Sequence, residues 1–353
     1  MKHTEDKIRT ADVKAAIEKG RRAGWIQRRG AKSRGFWYTD RNGIRVNDPE
    51  LIERINKLVI PPAWKFIRVS PTPGSRIQAV GMDTSGRIQY IYSAKFAEKQ
   101  QRLKFARIER FGETLPKLRI TTNRDIALDG FPREKVLAIM VRLINSLYFR
   151  VGTDKSAHRY KTYGITTLQN RHLEIRKKGT LIFDYVGKSH IKHRKVMVDD
   201  ELAALMKELK ALGGSRKLFH YLDGDGKARP VKPADVNSYL KTATGDEFSS
   251  KDFRTWGGSL LAAVELAELG KAEQEKEIKR NIVTAVRSVA GQLGNTPAVC
   301  RSSYIHPRVL RSYETGVTID DFRPRRSRRI RRIEAEIEPE EKALLKLFRN
   351  GVR

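Results

Sequence analysis

The sequence has almost no cysteine and no long hydrophobic run. A single cysteine, Cys300, occurs in 353 residues, which excludes an internal disulfide framework and zinc sites built from paired CxxC motifs. No stretch approaches the roughly 18 consecutive apolar residues that suggest a membrane-spanning helix. The start of the chain, MKHTEDKIRTADVKAAIEKG, has no apolar signal-peptide core. We therefore expect a cytoplasmic protein with no membrane partner.

Acidic residues are also scarce relative to basic ones. Lys and Arg number 72 against 41 Asp and Glu, which gives a formal net charge of +31. This excess predicts a polyanionic partner, and nucleic acid is the commonest one. Basic residues are interleaved with acids and with apolar residues, which make up 39% of the chain. We therefore expect a folded basic protein rather than a disordered basic arm.

The first part of the chain, residues 1–93, has the pattern of a small β-rich domain. GFWYTDRNGIRV predicts a strand, a turn at Asn42-Gly43 and a second strand. Helices are predicted near 12–23 and over 48–58. RIQAVGMDTSGRIQYIYS predicts a further pair of strands, and strand alternation would place its last two tyrosines on one face.

The remainder of the chain has a helical period and one short β segment. Residues 94–132 are predicted to be a connector that begins as a basic helix and continues irregularly. Residues 133–322 form a mainly helical domain with a small sheet from HLEIRKKGTLIFDYVGKSHIKHRKVMV, and 323–353 are a basic segment with a final helix. Later helices are predicted over 199–212, 233–242, 250–269 and 272–293. The fold class is therefore α+β.

A tyrosine near the end of the chain lies in LGNTPAVCRSSYIHP, a context suited to phosphodiester chemistry. A phenol with a pKa of about 10 attacks a phosphodiester well only where cations stabilise the charge that develops. Arginine suits that role because it stays charged and its fork matches phosphate oxygens. The departing 5′-oxygen needs a proton donor, and a lysine with a lowered pKa can supply one.

Several motifs together resemble those of the type IB DNA topoisomerases of the small poxvirus and bacterial kind. They are GRIQYIYSAKF, FRVG, TLQNRHLEI, YVGK, DFRTWG and LGNTPAVCRSSYI, and the resemblance covers nearly the whole chain. It implies a tyrosine-recombinase-like catalytic domain and relaxation of supercoiled DNA through a 3′-phosphotyrosyl intermediate. It also implies that no metal, ATP or other cofactor is required.

The resemblance assigns a role to five residues of the larger domain. Tyr304 is the expected nucleophile, and Arg150 and Arg254 are expected to bind the scissile phosphate. Lys188 is the expected general acid. Asn295 stands where many members have histidine, so we expect it to donate a hydrogen bond to a phosphate oxygen rather than to carry charge.

Other residues are expected to contact DNA without taking part in the chemistry. Gln89, Tyr90 and Tyr92 match DNA-contacting positions of the family, although strand aromatics of this kind also pack on cores. His190 and His193 flank the Lys188 turn, where they either contact a backbone phosphate or belong to a solvated turn. The histidines of the chain lack metal-ligand spacing, so no metal site is expected.

Two other functions remain open at the sequence level. A tyrosine site-specific recombinase uses a similar residue set, but usually carries a helical domain where this chain is β-rich. A non-catalytic basic DNA-binding protein explains the charge but leaves the five-residue set a coincidence. We favour a nucleoid-associated monomer whose two domains close as a clamp around duplex DNA.

Overall fold

The computed structural model describes residues 10–245, 247–322 and 337–350. The chain forms two compact units, with the division between Lys104 and Phe105. The first unit is rich in strands and the second is larger and mainly helical. The predicted α+β class is thereby confirmed, whereas the predicted domain boundaries stay a prediction.

A five-stranded antiparallel sheet with the order β2-β1-β3-β4-β5 forms the centre of the first unit. Its core includes Ile26, Ile55 and Val69, all buried. The elements are α1 (Thr10–Ile17), β1 (Ile26–Ala31), β2 (Gly35–Thr39), α2 (Pro49–Lys57), β3 (Lys65–Val69), β4 (Ile77–Met82) and β5 (Ile88–Tyr92).

The hairpin predicted around Asn42-Gly43 is only partly correct. Asp40 Oδ1 accepts from the backbone N–H of Asn42 at 2.9 Å and of Ile44 at 2.8 Å, so the turn itself forms. After the turn a single bridge joins Thr39 to Arg45, and β2 instead pairs along its length with β1. The chain leaves the sheet here because Asp48 and Pro49 start α2 almost at once.

The second unit contains most of the helices and a three-stranded antiparallel sheet, β6-β7-β8. A β9–β10 hairpin was not predicted. The elements that follow β5 are α3 (Ala94–Ile126), α4 (Arg133–Leu147), α5 (Asp154–Tyr160), β6 (Leu173–Arg176), β7 (Thr180–Val186), β8 (Lys192–Val198), α6 (Asp200–Ala211), β9 (His220–Leu222), β10 (Ala228–Pro230), α7 (Pro233–Thr244), α8 (Ser250–Glu268), α9 (Glu275–Leu293), α10 (Pro297–Ser303), α11 (Pro307–Glu314) and α12 (Pro339–Asn350).

Helix lengths differ from the predictions most clearly at three places. α1 ends at Ile17 and a short 3₁₀ helix covers Gly20–Gly24, because Lys19 between them is extended, with a ψ of 131°. α3 continues past Pro116 to Ile126, so most of the predicted connector is helical. α9 begins at Glu275 rather than at 272. The predicted basic segment at 323–336 lies outside the described residues.

Helix α8 runs through the core of the second unit. Trp256 is 1% exposed, and two glycines follow it in the sequence. A Cβ on Gly257 would lie 2.0 Å from the Tyr148 ring, and one on Gly258 would lie 2.7 Å from the backbone oxygen of Tyr304. The RTWGG sequence therefore lets α8 approach two segments more closely than any larger residue allows.

Candidate active site

Three cationic side chains meet at the carboxyl-terminal end of α9. The helix ends there because Gly294 adopts a left-handed conformation. The cations donate to three successive backbone oxygens, in the pairs Lys195 Nζ to Gln292 at 3.1 Å, Arg254 Nη2 to Leu293 at 2.7 Å and Arg150 Nη2 to Gly294 at 2.9 Å. The last carbonyls of a helix lack intrahelical partners and carry partial negative charge. In the part of the chain that the structure describes, no carboxylate pairs with these cations, so their positive charge is available to an anion.

Arg254 is fixed deep inside this cluster. It is 4% exposed, and its Nη1 donates to the backbone oxygen of Tyr148 at 2.6 Å. Tyr148 caps α4 in a left-handed conformation. The Nε of Arg254 is buried, and no partner for it is found among the residues that the structure describes. A buried donor of this kind is one that a bound anion satisfies.

Arg150 and Asn295 form a hydrogen-bonded pair. Arg150 lies in the extended segment after α4, and its Nη2 donates to Asn295 Oδ1 at 2.7 Å. Burial and the neighbouring Arg254 lower the pKa of Arg150, but a guanidinium remains charged at neutral pH. Among the described residues, the one hydrogen-bond contact of Asn295 Nδ2 is a long one, 3.5 Å to Leu293 O. The side-chain oxygen of Asn295 thus accepts a hydrogen bond from Arg150, and its amide N–H groups can donate to another acceptor.

Tyr304 lies at the end of α10 beside Arg254. The guanidinium carbon of Arg254 is 5.1 Å from the centre of the tyrosine ring. Ser259 Oγ, on α8, lies 3.3 Å from the backbone oxygen of Tyr304, and Gly258 provides the space for this contact. α8 therefore carries the arginine and also supports the backbone of the tyrosine.

Lys188 stands apart from the other four predicted residues. It begins the turn Lys188–His190 between β7 and β8, where Ser189 and His190 have positive φ values of 63° and 59°. Its side chain is exposed, and within the described ranges no hydrogen bond joins it to the other four. The structure brings together Tyr304, Arg254, Arg150 and Asn295, and leaves Lys188 extended from a neighbouring turn.

The expected surface position of His193 is corrected by the structure. Its ring is 7% exposed and stacks on Tyr185 with the ring centres 5.0 Å apart. A Cβ on Gly187 or on Gly294 would come within 2.6 Å of this ring. Burial, followed by Lys195, Arg150 and Arg254, lowers the pKa of His193 to about 4. A buried, neutral ring has no charge to offer a DNA phosphate, and it packs the Lys188 turn against the end of α9.

The other predicted contact residues lie on the surface or close to it. Tyr90 and Tyr92 are 39% and 44% exposed, and their rings stack 6.1 Å apart. Gln89 is half-buried and donates to Asp83 Oδ2 at 2.9 Å. His190 is exposed, with its Nε2 3.2 Å from the backbone oxygen of Tyr160.

Lys195 was not predicted from the sequence to belong to the site. On β8 this lysine shares a face with buried His193, and strand alternation gives the signal that could have found it. Burial, followed by Arg254 and Arg150, lowers its pKa to about 8. Over the part of the chain that is described, no three His, Cys, Asp or Glu side chains cluster as a metal site requires. Nor is any helix there long and apolar enough to cross a membrane.

Two family models match the chain in adjacent regions. Residues 93–327 match the model of the eukaryotic DNA topoisomerase I catalytic core. Residues 35–83 match that of the bacterial DNA topoisomerase IB N-terminal domain. The first match contains all five predicted catalytic residues, and the second covers the whole of β2, β3 and β4.

Several curated proteins are similar to the chain. DNA topoisomerase 1B of Acanthamoeba polyphaga mimivirus is 35% identical over 80% of this chain and 84% of its own length. DNA topoisomerase 1 of Rabbit fibroma virus is 24% identical over 67% of this chain and 72% of its own. DNA topoisomerase 1B of Vaccinia virus strain Copenhagen is 21% identical over the same shares.

Proposed function

This chain belongs to the type IB DNA topoisomerase family, and on that premise we propose that it relaxes supercoiled duplex DNA. The observation that carries the proposal is the placement of Arg254 and the Arg150–Asn295 pair around Tyr304. A tyrosine bordered by cations that no described carboxylate neutralises fits transfer of a phosphodiester to a phenol. A purely architectural DNA-binding protein has no need of this arrangement.

In the proposed reaction, Tyr304 Oη gives its proton to a solvent water as it attacks the scissile phosphorus and forms a 3′-phosphotyrosyl bond. The phosphorus–5′-oxygen bond breaks, and Lys188 gives a proton to the departing oxygen. Arg150, Arg254 and Asn295 Nδ2 stabilise the charge on the nonbridging oxygens. The reverse steps reseal the strand after it has rotated, so the energy of the broken bond is kept in the phosphotyrosine and no ATP is needed.

We also propose that the protein acts as a monomer on duplex DNA in the nucleoid. The four grouped residues come from a single chain, which supports cleavage without a partner subunit. We propose that four further side chains contact the DNA, mainly at phosphates. They are exposed Tyr90, Tyr92 and His190, together with Gln89. Such binding weakens steeply as salt rises.

The proposal predicts relaxation of both negative and positive supercoils in EDTA without ATP. Agarose gels of plasmid topoisomers provide the measurement, and sedimentation on DNA gives the oligomeric state. Activity that disappears in EDTA and returns with magnesium would contradict the mechanism. Tetramers that join two DNA sites would favour the recombinase alternative.

The Arg150–Asn295 pair leads to a second prediction, on the role of the asparagine. Asn295→Ala should lose roughly 2–4 kcal/mol of transition-state stabilisation, the usual value of one such donor. Asn295→His should keep substantial activity, since a neutral imidazole can accept from Arg150 and donate to phosphate. Asn295→Asp is the matched isostere: it should be at least as impaired as alanine, because it lacks the donor and repels the phosphate. Single-turnover cleavage rates test the series, and a wild-type rate for Asn295→Ala would remove this residue from the site.

A further inference from the structure

We propose that Lys195 is a positioning residue for the Arg150–Asn295 pair, which it holds in place through the last turn of α9. The inference rests on the proposed function and adds a residue to it. No motif of the family resemblance singles out this lysine, since the predicted turn lysine is Lys188.

The strand register sends Lys195 toward the interior of the sheet. On β7, Phe183 lies opposite Lys195, and Tyr185 lies opposite His193. Phe183, Tyr185 and His193 are all buried. The Nζ atom lies 5.9 Å from the centre of the Phe149 ring and donates to Gln292 O. A lysine at such a position costs desolvation energy, so its charge must be offset by the helix end that it contacts.

The bond to Gln292 acts close to the reacting groups. Gln292 is followed by Leu293 and Gly294, whose oxygens hold Arg254 and Arg150, and then by Asn295. When Lys195 no longer binds the Gln292 oxygen, the last turn of α9 is held less firmly. Both arginines are bound to the next two carbonyls of that turn. Lys195 thus acts on the phosphate-binding groups through the backbone, without touching the phosphate itself.

Among the three cations at this helix end, Lys195 alone loses its proton near neutral pH. Among the described residues, the charged and titratable groups near it include Arg254, Arg150 and His193 and, around the adjoining cleft, Lys192, Arg194 and Tyr148. Burial, followed by the two arginines, lowers the pKa of Lys195. A cleft of about 340 Å³, also lined by Lys192, opens beside it, so water reaches the amine. As pH rises through about 8, the charge on Lys195 is lost and the hold on Gln292 weakens.

Loss of the Lys195 proton lowers the cleavage rate but raises the free energy of unfolding. The pKa of Lys195 is lower in the folded chain than in the unfolded chain. Between these two pKa values the unfolded chain binds more protons, so stability rises with pH. A decline of cleavage above pH 8 therefore does not reflect unfolding by this group. Thermal melts recorded over the same pH range separate the two effects.

The test compares Lys195→Met and Lys195→Arg with a matched control, Lys210→Met. Lys210 also donates its ammonium to a backbone oxygen, that of Leu173 at 2.9 Å, but on α6 and outside the active site. Lys195→Met should cleave DNA about tenfold or more slowly in single-turnover assays, as expected for loss of a charge-assisted hydrogen bond. Its DNA affinity should change little, and Lys210→Met should cleave at the wild-type rate.

The pH profile provides a readout that a structural role would not move. Rates are measured below saturation, where ionisation of the free protein governs them. Under these conditions the cleavage rate of the wild-type protein should decline above pH 8. Lys195→Arg should restore most of the rate and lack that decline, because a guanidinium does not titrate there. Lys195→Met should lack it as well.

Three outcomes would overturn the inference. The first is wild-type cleavage by Lys195→Met, and the second is a deficit with an unchanged pH profile and no rescue by arginine. The third is recovery of Lys195→Met on DNA with a bridging 5′-sulfur, which would make Lys195 the proton donor instead. Failure of the proposed function is distinguishable from all three, because wild-type protein would then form no covalent adduct.

Discussion

Tyr304→Phe should abolish supercoil relaxation and covalent adduct formation while noncovalent DNA binding persists. Only the hydroxyl is removed, so the ring keeps its place beside Arg254 and the backbone oxygen keeps its contact with Ser259. Without the phenolic oxygen no phosphotyrosyl bond can form. The measurements are topoisomer gels, denaturing gels of protein incubated with labelled DNA, and a binding titration.

The matched control for this variant is Tyr313→Phe. Tyr313 is 2% exposed; its hydroxyl donates to Gly270 O at 2.6 Å and accepts from Asn281 Nδ2 at 2.7 Å. Losing that hydroxyl leaves buried polar groups unpaired, which costs about 1–3 kcal/mol of stability. The control should therefore melt earlier yet still form the adduct. An adduct from Tyr304→Phe would show that another residue is the nucleophile.

Lys188→Ala should cleave ordinary DNA far more slowly, with much of the rate recovered on DNA that carries a bridging 5′-sulfur at the scissile phosphate. Expelling an alkoxide requires a proton, whereas a thiolate leaves without one because the pKa of a thiol is near 8.5. A lysine that only binds phosphate would give equal deficits on both substrates. Single-turnover rates on the paired substrates distinguish the two roles.

Lys178→Ala provides the control for this experiment. Lys178 is also exposed and lies at a turn of the same three-stranded sheet, between β6 and β7 rather than between β7 and β8. Its backbone φ is positive, 55°, as are those of Ser189 and His190 in the Lys188 turn, so both lysines belong to tight turns. This variant should cleave both substrates at wild-type rates. Equal deficits for Lys188→Ala would leave Arg150 as the main candidate for proton delivery.

Local patterns predicted most of the second unit because its helices have clear starts, ends and apolar periods. The helix carrying Arg254 was predicted over 250–269, and it forms as α8 over Ser250–Glu268. The three-stranded sheet and its Lys188 turn were also expected from the sequence. The hairpin after β2 was predicted less well, because turn chemistry specifies a turn but not which strand pairs beyond it.

Burial was harder to predict than secondary structure. From the sequence, His193 was expected to contact a backbone phosphate or to lie in a solvated turn, and Lys195 was not singled out, because most residues near them are charged. Their ring and ammonium lie instead on the inner face of β8. Strand alternation shows that His193 and Lys195 share one face of β8. Whether that face is buried depends on which side of the sheet the helices cover.

The sequence by itself determined the class of partner and the family. The net charge of +31 points to a polyanion, and motifs such as DFRTWG and LGNTP carry the resemblance that the family models confirm. Only the tertiary structure decided how the candidate active site is held together. Arg150 and Asn295 are 145 positions apart, and packing of α8, β8 and the segment after α4 against the end of α9 brings three cations onto three successive carbonyls. No local rule specifies such contacts, because they arise from how separate elements share one core.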